Sequence, residues 1–167
     1  VGIGASLGGA RTLVTMKHVG LNVAADPLFT AGYVGVNGGL VIVVADDPAM
    51  HSSQNEQDSR YYAIAAKLPM LEPSDSAEAF MYIQAAFSMS ERFDTPVLLR
   101  STTRLSHGQS VVDNPRKRVM PGEKKFTANP RKYVMIPAFA REAHVRVEQR
   151  LLDMAAWSSR ESGFNRI

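Results

Sequence analysis

An uninterrupted apolar run, residues 39–45, is the sequence feature that most constrains the fold. It reads Gly-Leu-Val-Ile-Val-Val-Ala and stops abruptly at Asp46-Asp47-Pro48. A short apolar run rich in β-branched residues, ended by charge and proline, is typical of a strand that is covered on both faces in a parallel sheet. The run therefore predicts a buried central strand.

The segments around this run alternate between strand and helix patterns. Further strands are predicted at residues 11–16, 69–73 and 97–102, and helices at residues 22–34, 58–66 and 74–93. Asn22 and Ser74 occupy positions suited to helix N-caps, and Pro27 requires a place in a first helical turn. Such alternation is typical of βα units with right-handed crossovers. We expect an α/β fold built on a doubly wound, mostly parallel sheet.

The absence of cysteine limits the chemistry that these 167 residues can support. No disulfide, thiolate metal site or iron–sulfur ligand is expected in this segment. That composition is consistent with a cytoplasmic protein. No apolar segment is long enough to span a membrane, and no signal-peptide pattern is present, so no membrane partner is expected.

Charge is distributed unevenly along the chain. Residues 1–103 contain six Lys/Arg and ten Asp/Glu, whereas residues 104–167 contain thirteen and six. Residues 106–135 are rich in proline and basic residues and show no periodicity, which predicts an extended basic connector. A helix is predicted at residues 136–157, within a final segment 136–167 that leads toward a following domain.

The basic connector has two interpretations. Its basic residues lie at 116–118, directly after Pro115, at 124–125 and at 131–132, and they are able to contact phosphates. No nucleic-acid-binding fold surrounds them, so we favour contact with an acidic protein surface on a neighbouring domain or subunit, and expect no nucleic-acid partner.

Three polar clusters follow predicted strands. They are residues 15–20, Asp46-Asp47 with the loop 51–58, and residues 100–104 followed by His107. Because ligands of open parallel sheets bind outside the carboxyl ends of the strands, these clusters predict a site at one edge of the sheet. A structural interpretation stays open for each: a solvated loop histidine, a turn with a capping carboxylate, and a solvated helix start.

Other motifs are weak. The glycines at positions 2, 4, 8 and 9 resemble a dinucleotide fingerprint, but no strand precedes them and their spacing differs. The sequence has no P-loop, metalloprotease motif or nucleophile elbow, and we predict no metal ligands.

Two long stretches, residues 8–27 and residues 43–60, resemble the large (alpha) subunit of the indolepyruvate:ferredoxin oxidoreductases, within the 2-oxoacid:ferredoxin oxidoreductase family. Shorter supporting stretches lie at residues 70–76, 95–100 and 164–167. The resemblance covers nearly the whole chain. It implies the thiamine diphosphate-binding fold, with residues 1–105 as a partial pyrimidine-binding domain that lacks its first strand.

The resemblance also implies an activity. Such enzymes oxidatively decarboxylate an aryl pyruvate to an acyl-coenzyme A and pass electrons through [4Fe-4S] clusters to ferredoxin. Thiamine diphosphate supplies the carbanion chemistry. Its Mg²⁺ and the clusters would be held outside this chain, as would the cofactor-activating glutamate. The implied partners are a 2-oxo acid, coenzyme A, ferredoxin, a smaller beta subunit and the rest of the alpha subunit, without which this chain should be inactive.

Site roles follow from the same resemblance. The implied cofactor-binding residues are Lys17, His18, Gly20, Asp46 and Asp47. The implied catalytic residues are His51 and Gln57, and the implied substrate-binding residues are Gln54, Glu56 and Asp58. A histidine in the loop is able to bind a 2-oxo carboxylate or to move a proton. The alternatives are a pyruvate or branched-chain 2-oxoacid oxidoreductase domain and a non-catalytic α/β binding module.

Overall fold

The structure is a computed structural model that describes residues 1–113, 122 and 124–165. Its strands are β1 (Thr12–Lys17), β2 (Leu40–Asp46), β3 (Met70–Leu71) and β4 (Val97–Thr102). Its helices are α1 (Gly2–Leu7), α2 (His18–Val23), α3 (Ala25–Val34), α4 (Arg60–Ala66), α5 (Ser76–Phe93), α6 (Thr103–His107), α7 (Pro130–Tyr133) and α8 (Pro137–Arg160). A short 3-10 turn, Pro48–Met50, follows β2.

β2 lies inside an all-parallel sheet whose strand order is β1-β2-β4-β3. Successive β2 side chains face opposite core layers, as the pleat of a strand requires. Ile42 and Val44 pack in a layer with α2, α3 and α4, whereas Val41 packs in a second layer with α5. Helices therefore cover both faces of the sheet. The predicted central strand and the doubly wound α/β fold are confirmed.

Two predicted helix starts are displaced. α2 begins directly after β1 and contains Asn22, which therefore is not an N-cap. α3 begins at Ala25 and places Pro27 in its first turn, where the missing N–H costs nothing. The N-cap of α5 is Asp75 rather than Ser74, because the Asp75 carboxylate accepts the Glu78 amide at 2.8 Å.

The described part of the basic connector packs on this chain's own acidic residues. Lys124 Nζ lies 3.2 Å from Glu91, and Lys132 Nζ donates to Asp94 at 2.8 Å. We expected an acidic surface on a neighbouring domain or subunit as the partner; for these two lysines the contacts are carboxylates within residues 1–105 of this chain. The run at residues 115–118 lies outside the described residues, as do residues 166–167. α6 spans the predicted boundary between residues 105 and 106.

α8 packs against α3 through the apolar stripe that the sequence predicted. Ala143, Val147 and Met154 are buried on this stripe. Arg150 is buried beside them and donates from Nη1 to the Gly32 carbonyl at 2.9 Å, which satisfies a charged group in the core. Among the described residues, the helices are too short or too polar to cross a bilayer.

Candidate functional site

The carboxyl ends of β1, β2 and β4 bring the three predicted polar clusters to one edge of the sheet, which we name the carboxyl rim. Lys17 is paired in register beside Ala45, and Asp46 beside Thr102. Thr103 follows immediately, and its Oγ1 donates to the Asp47 carboxylate at 2.8 Å. The predicted convergence of polar side chains at one rim is therefore present.

Asp46 is buried and joins three segments of the chain. Its Oδ2 atom accepts hydrogen bonds from Arg100 Nε at 2.7 Å and from the Ser59 amide and hydroxyl at 3.0 and 2.9 Å. Arg100, also buried, forms a second ion pair with Glu72. Each charge in this group is paired, as burial requires. Asp46 thus anchors the start of α4 to the sheet.

Asp47 organises the loop that follows β2. Its carboxylate accepts from Ser53 Oγ at 2.6 Å, from the Ser52 amide at 2.8 Å and from the His51 amide at 3.2 Å. The hydrogen bonds from Ser53, from the Ser52 amide and from Thr103 hold the pKa of Asp47 well below its usual range. Asp47 is consequently an ionised centre around which the loop folds.

The start of this loop is strained. Ala49 and Met50 both adopt left-handed backbone angles, with φ of 65° and 56°. Such angles are unfavourable for residues with a side chain and persist only where the surroundings hold them. The Glu56 carboxylate accepts the Ala49 amide at 2.8 Å. Glu56 and Asp47 therefore fix the loop from two sides.

The loop is tied across the end of β1. Lys17 Nζ donates to the Ser52 carbonyl at 2.9 Å, and His18 Nε2 contacts the Asn55 carbonyl at 3.2 Å. Further along, Asn22 donates to the side chain of Gln57 at 3.1 Å. These three ties come from the β1–α2 junction. They hold the loop as a folded cover over the rim.

The predicted site residues divide into two groups in this arrangement. The side chains of Asp46, Asp47 and His18 are 2%, 3% and 0% exposed, and face the protein interior. The residues with exposed or half-buried positions on the rim are Lys17, Gly20, His51, Gln54, Glu56, Gln57 and Asp58.

Gly20 and Asp58 have specific local surroundings. A Cβ atom on Gly20 would lie 3.1 Å from Met16 Cβ, so the glycine lets α2 pack closely on β1. Asp58 accepts from Arg60 Nη2 at 2.7 Å, and that hydrogen bond holds the pKa of Asp58 below its usual value. Asp58 is thus an ionised cap on α4.

Three site residues were missed by the sequence reasoning: Asn22, Ser59 and Glu72. Ser59 directly precedes α4, so its position at a helix start was a usable signal. Asn22 and Glu72 carry no local signal, because their partners Gln57 and Arg100 lie 35 and 28 residues away along the chain.

The chemistry of the rim suits a neutral hydrogen-bonding heterocycle. Carboxylates, carboxamides and hydroxyls line it, and Arg100 is already engaged by Asp46 and Glu72. Across the described ranges, no group of three or more His, Cys, Asp and Glu side chains is placed to hold a metal ion. The rim residues therefore offer hydrogen-bond donors and acceptors of the kind that a polar heterocycle requires.

The sequence matches one protein family and several curated proteins. The family described as "Pyruvate flavodoxin/ferredoxin oxidoreductase, thiamine diP-bdg" matches residues 1–165. A protein of Archaeoglobus fulgidus named indolepyruvate oxidoreductase subunit IorA is 54% identical over 85% of this chain and 23% of its own length. A protein of the same name from Methanothermobacter thermautotrophicus is 44% identical over the whole chain and 27% of its own length.

Among solved structures, a transketolase mutant from Pichia stipitis superposes with a TM-score of 0.46 and 16% identity, covering 92% of this chain and 26% of that one. The chain spans about a quarter of the length of the curated relatives it matches. Because the family pattern extends over almost every residue, this chain belongs to the pyruvate flavodoxin/ferredoxin oxidoreductase family that binds thiamine diphosphate.

Proposed function

We propose that this chain forms the aminopyrimidine side of the thiamine diphosphate site in an indolepyruvate-type 2-oxoacid:ferredoxin oxidoreductase. The observation that carries the proposal is the 54% identity to a relative named as an indolepyruvate oxidoreductase subunit. The carboxyl rim supports it, since polar residues from three strands converge where ligands of parallel sheets bind.

The reaction proposed for the complete protein is oxidative decarboxylation of an aryl pyruvate to an acyl-coenzyme A, with reduction of ferredoxin. Thiamine diphosphate, when bound, would supply the carbanion chemistry, and the rim residues of this chain would hold its aminopyrimidine. Mg²⁺ and the [4Fe-4S] clusters belong to parts of the protein outside this chain. A smaller beta subunit and the rest of the alpha subunit complete the active site, in the cytoplasm.

Within that protein, the rim residues have two roles. Asp46, Asp47 and His18 act from the interior and hold the loop in one conformation. Lys17 and the close packing at Gly20 shape the surface beneath the pyrimidine. This division assigns contact with ligands to the exposed side chains and positioning to the buried ones.

The loop itself faces the substrate in this proposal. His51 and Gln54 are exposed at its outer side, and Gln57 is held by Asn22 with its amide bonded to Asn55 at 2.9 Å. A histidine and a carboxamide in these places are able to donate hydrogen bonds to a 2-oxo carboxylate. Glu56 and Asp58 keep the loop backbone in place through Ala49 and Arg60.

The test uses the intact protein with its partner subunit. We expect indolepyruvate to reduce ferredoxin only when thiamine diphosphate, Mg²⁺ and coenzyme A are all present. Pyruvate and a branched-chain 2-oxo acid are the comparison substrates. Equal or higher kcat/KM with either of them would overturn the aryl-pyruvate assignment, and no turnover with any 2-oxo acid would favour a binding module.

Variants test the residue roles in the same assay. His51→Ala and Gln57→Ala should each lower kcat/KM by about tenfold to a hundredfold, the range for a hydrogen bond to a charged ligand. His144→Ala and Gln149→Ala are controls at exposed positions of α8 that make none of the rim contacts described above, and they should leave kcat/KM unchanged. Wild-type kinetics in both loop variants would remove these two residues from the site.

A further inference from the structure

Two buried atoms at the carboxyl rim lack hydrogen-bond partners among the described residues: His18 Nδ1 and Asp46 Oδ1. Both belong to side chains that are otherwise bonded. His18 Nε2 contacts the Asn55 carbonyl, and Asp46 Oδ2 accepts from Arg100 and Ser59. Buried polar atoms in native proteins nearly always have a partner, so each of these atoms calls for one.

The two atoms belong to neighbouring positions. Lys17, the last residue of β1, is paired with Ala45 of β2, and the next residues are His18, which begins α2, and Asp46, which ends β2. His18 bonds to Asn55 and Asp46 bonds to Ser59, so both side chains contact the same loop between β2 and α4. We therefore place the two unpartnered atoms together at this edge of the sheet.

The hydrogen-bonding character of these two atoms determines which group is able to bind both. A carbonyl oxygen only accepts, so His18 Nε2 carries the proton in its contact with Asn55. In the neutral ring Nδ1 is then an acceptor, and a carboxylate oxygen is an acceptor as well. Two acceptors require a partner that donates two hydrogen bonds. A water molecule does this, and it also fits a charged ring by accepting from Nδ1–H while donating to Asp46.

We infer that His18 Nδ1 and Asp46 Oδ1 form the two walls of a buried site for a single water molecule. The water completes a chain of hydrogen bonds from the Asn55 carbonyl, through His18 and Asp46, to Arg100. That chain connects the middle of the loop at Asn55 with its end at Ser59. His18 is therefore a positioning residue, which acts on the substrate side of the rim through the loop backbone.

The site itself is tested by a crystal structure of the intact protein at a resolution that shows ordered water. The expected result is a water within hydrogen-bond distance of both His18 Nδ1 and Asp46 Oδ1. A direct hydrogen bond between these two atoms would overturn the inference, as would a different protein group bonded to either one. This measurement needs no substrate, so its outcome is independent of the proposed function.

Two substitutions test the two ring nitrogens of His18 separately. His18→Gln places an amide where Nε2 lies and keeps the bond to Asn55. His18→Asn places an amide where Nδ1 lies and keeps the bond to the water. If the water is part of the structure, each variant loses one of the two links, and hydrogen exchange of residues 51–59 becomes faster in both. If His18→Gln exchanges at the wild-type rate, Nδ1 has no role and the inference fails.

The consequence for turnover rests on the proposed function. Both variants should raise KM for the 2-oxo acid about threefold to tenfold, with a smaller change in kcat, because the loop is displaced and the chemistry is not. Gln149→Ala serves as the unaffected control. Unchanged KM together with faster exchange would retain the water site and sever its link to the substrate, whereas an inactive wild type would count against the proposed function alone.

Discussion

The two ends of the parallel sheet are built in different ways. At the amino end, segments distant in sequence close over the strands. Gly9 has a φ of 103° and lies under Lys124, and Asp94 accepts both the Val36 amide and Lys132 at 2.8 Å. At the carboxyl end, the main partner of the strands is the loop that follows β2. The amino end is held by close contacts between distant segments. The carboxyl end is covered by one folded loop whose outer side chains are exposed.

This difference separates stability from function along one sheet. Ion pairs and close glycine contacts at the amino end should affect folding and leave turnover intact. Changes in the exposed loop residues at the carboxyl end should affect turnover and leave folding intact. Asp46 is an exception to this division, because it lies at the carboxyl end and is buried.

The largest expected effect tests that exception. Asp46→Ala leaves Arg100 buried with Glu72 alone and removes the acceptor of Ser59, which should cost about 3–5 kcal/mol of stability. The urea midpoint of the intact protein measures it. Asp153→Ala, on the exposed side of α8, is the control and should change the midpoint little. A stable Asp46→Ala protein would mean that the contacts of Asp46 with Arg100 and Ser59 contribute little to folding.

The second effect concerns the amino end. A Cβ atom on Gly38 would overlap the Ala10 carbonyl and lie 2.6 Å from the Gly9 carbonyl oxygen, so Gly38→Ala should destabilise the protein by about 1–3 kcal/mol. Turnover of the folded protein should stay at the wild-type level. Gly4→Ala is matched to it, because that position in α1 has open space and alanine favours a helix. Equal melting temperatures for the two variants would contradict the close contact.

A third, smaller effect concerns Lys132 in the basic connector. Lys132→Met removes two hydrogen bonds, to Asp94 and to the Val36 carbonyl at 2.9 Å, and should cost about 1 kcal/mol with kcat/KM unchanged. Lys125→Met is the control, because only the backbone carbonyl of Lys125 contacts Asn37. A loss of turnover in Lys132→Met without loss of stability would break the division between the two ends.

A further effect is a pH dependence at the amino end. The hydrogen bond from Arg11 lowers the pKa of Glu91 from 4.5 to about 2. A lowered pKa stabilises the folded state above the unfolded value, and this contribution is lost as pH falls from about 4.5 toward 2. Stability of Glu91→Gln should therefore vary less across that interval than stability of the wild type. Parallel pH curves for the two proteins would show that the Arg11 pair does not contribute.

Much of the fold was predictable because local periodicity encodes it. The apolar run at residues 39–45 favoured a covered strand, and the stripe of α8 predicted which face packs inward. The displaced starts of α3 and α5 show the limit of this reasoning. Asn22 has the composition of a cap, but packing of α2 on β1 extended the helix through it.

The rim was predictable and the roles of its residues were not. Strand ends in a parallel sheet meet at one edge, so the positions of Lys17, Asp46 and Thr103 followed from the strands alone. Whether a carboxylate faces a ligand or an arginine depends on burial. The cofactor-binding roles that the family resemblance implied for Asp46, Asp47 and His18 stay predictions. Because these side chains are buried, we propose that they position the loop.

The sequence by itself determined the approximate positions of the strands and of the longer helices, the buried stripe of α8 and the edge at which polar residues gather. Only the tertiary structure decided the pairings that cross the chain: Asp46 with Arg100, His18 with Asn55, and the connector lysines with Glu91 and Asp94. The physical reason is distance along the chain. Periodicity acts over a few residues, whereas a buried charge takes whichever partner the order of the strands brings within reach.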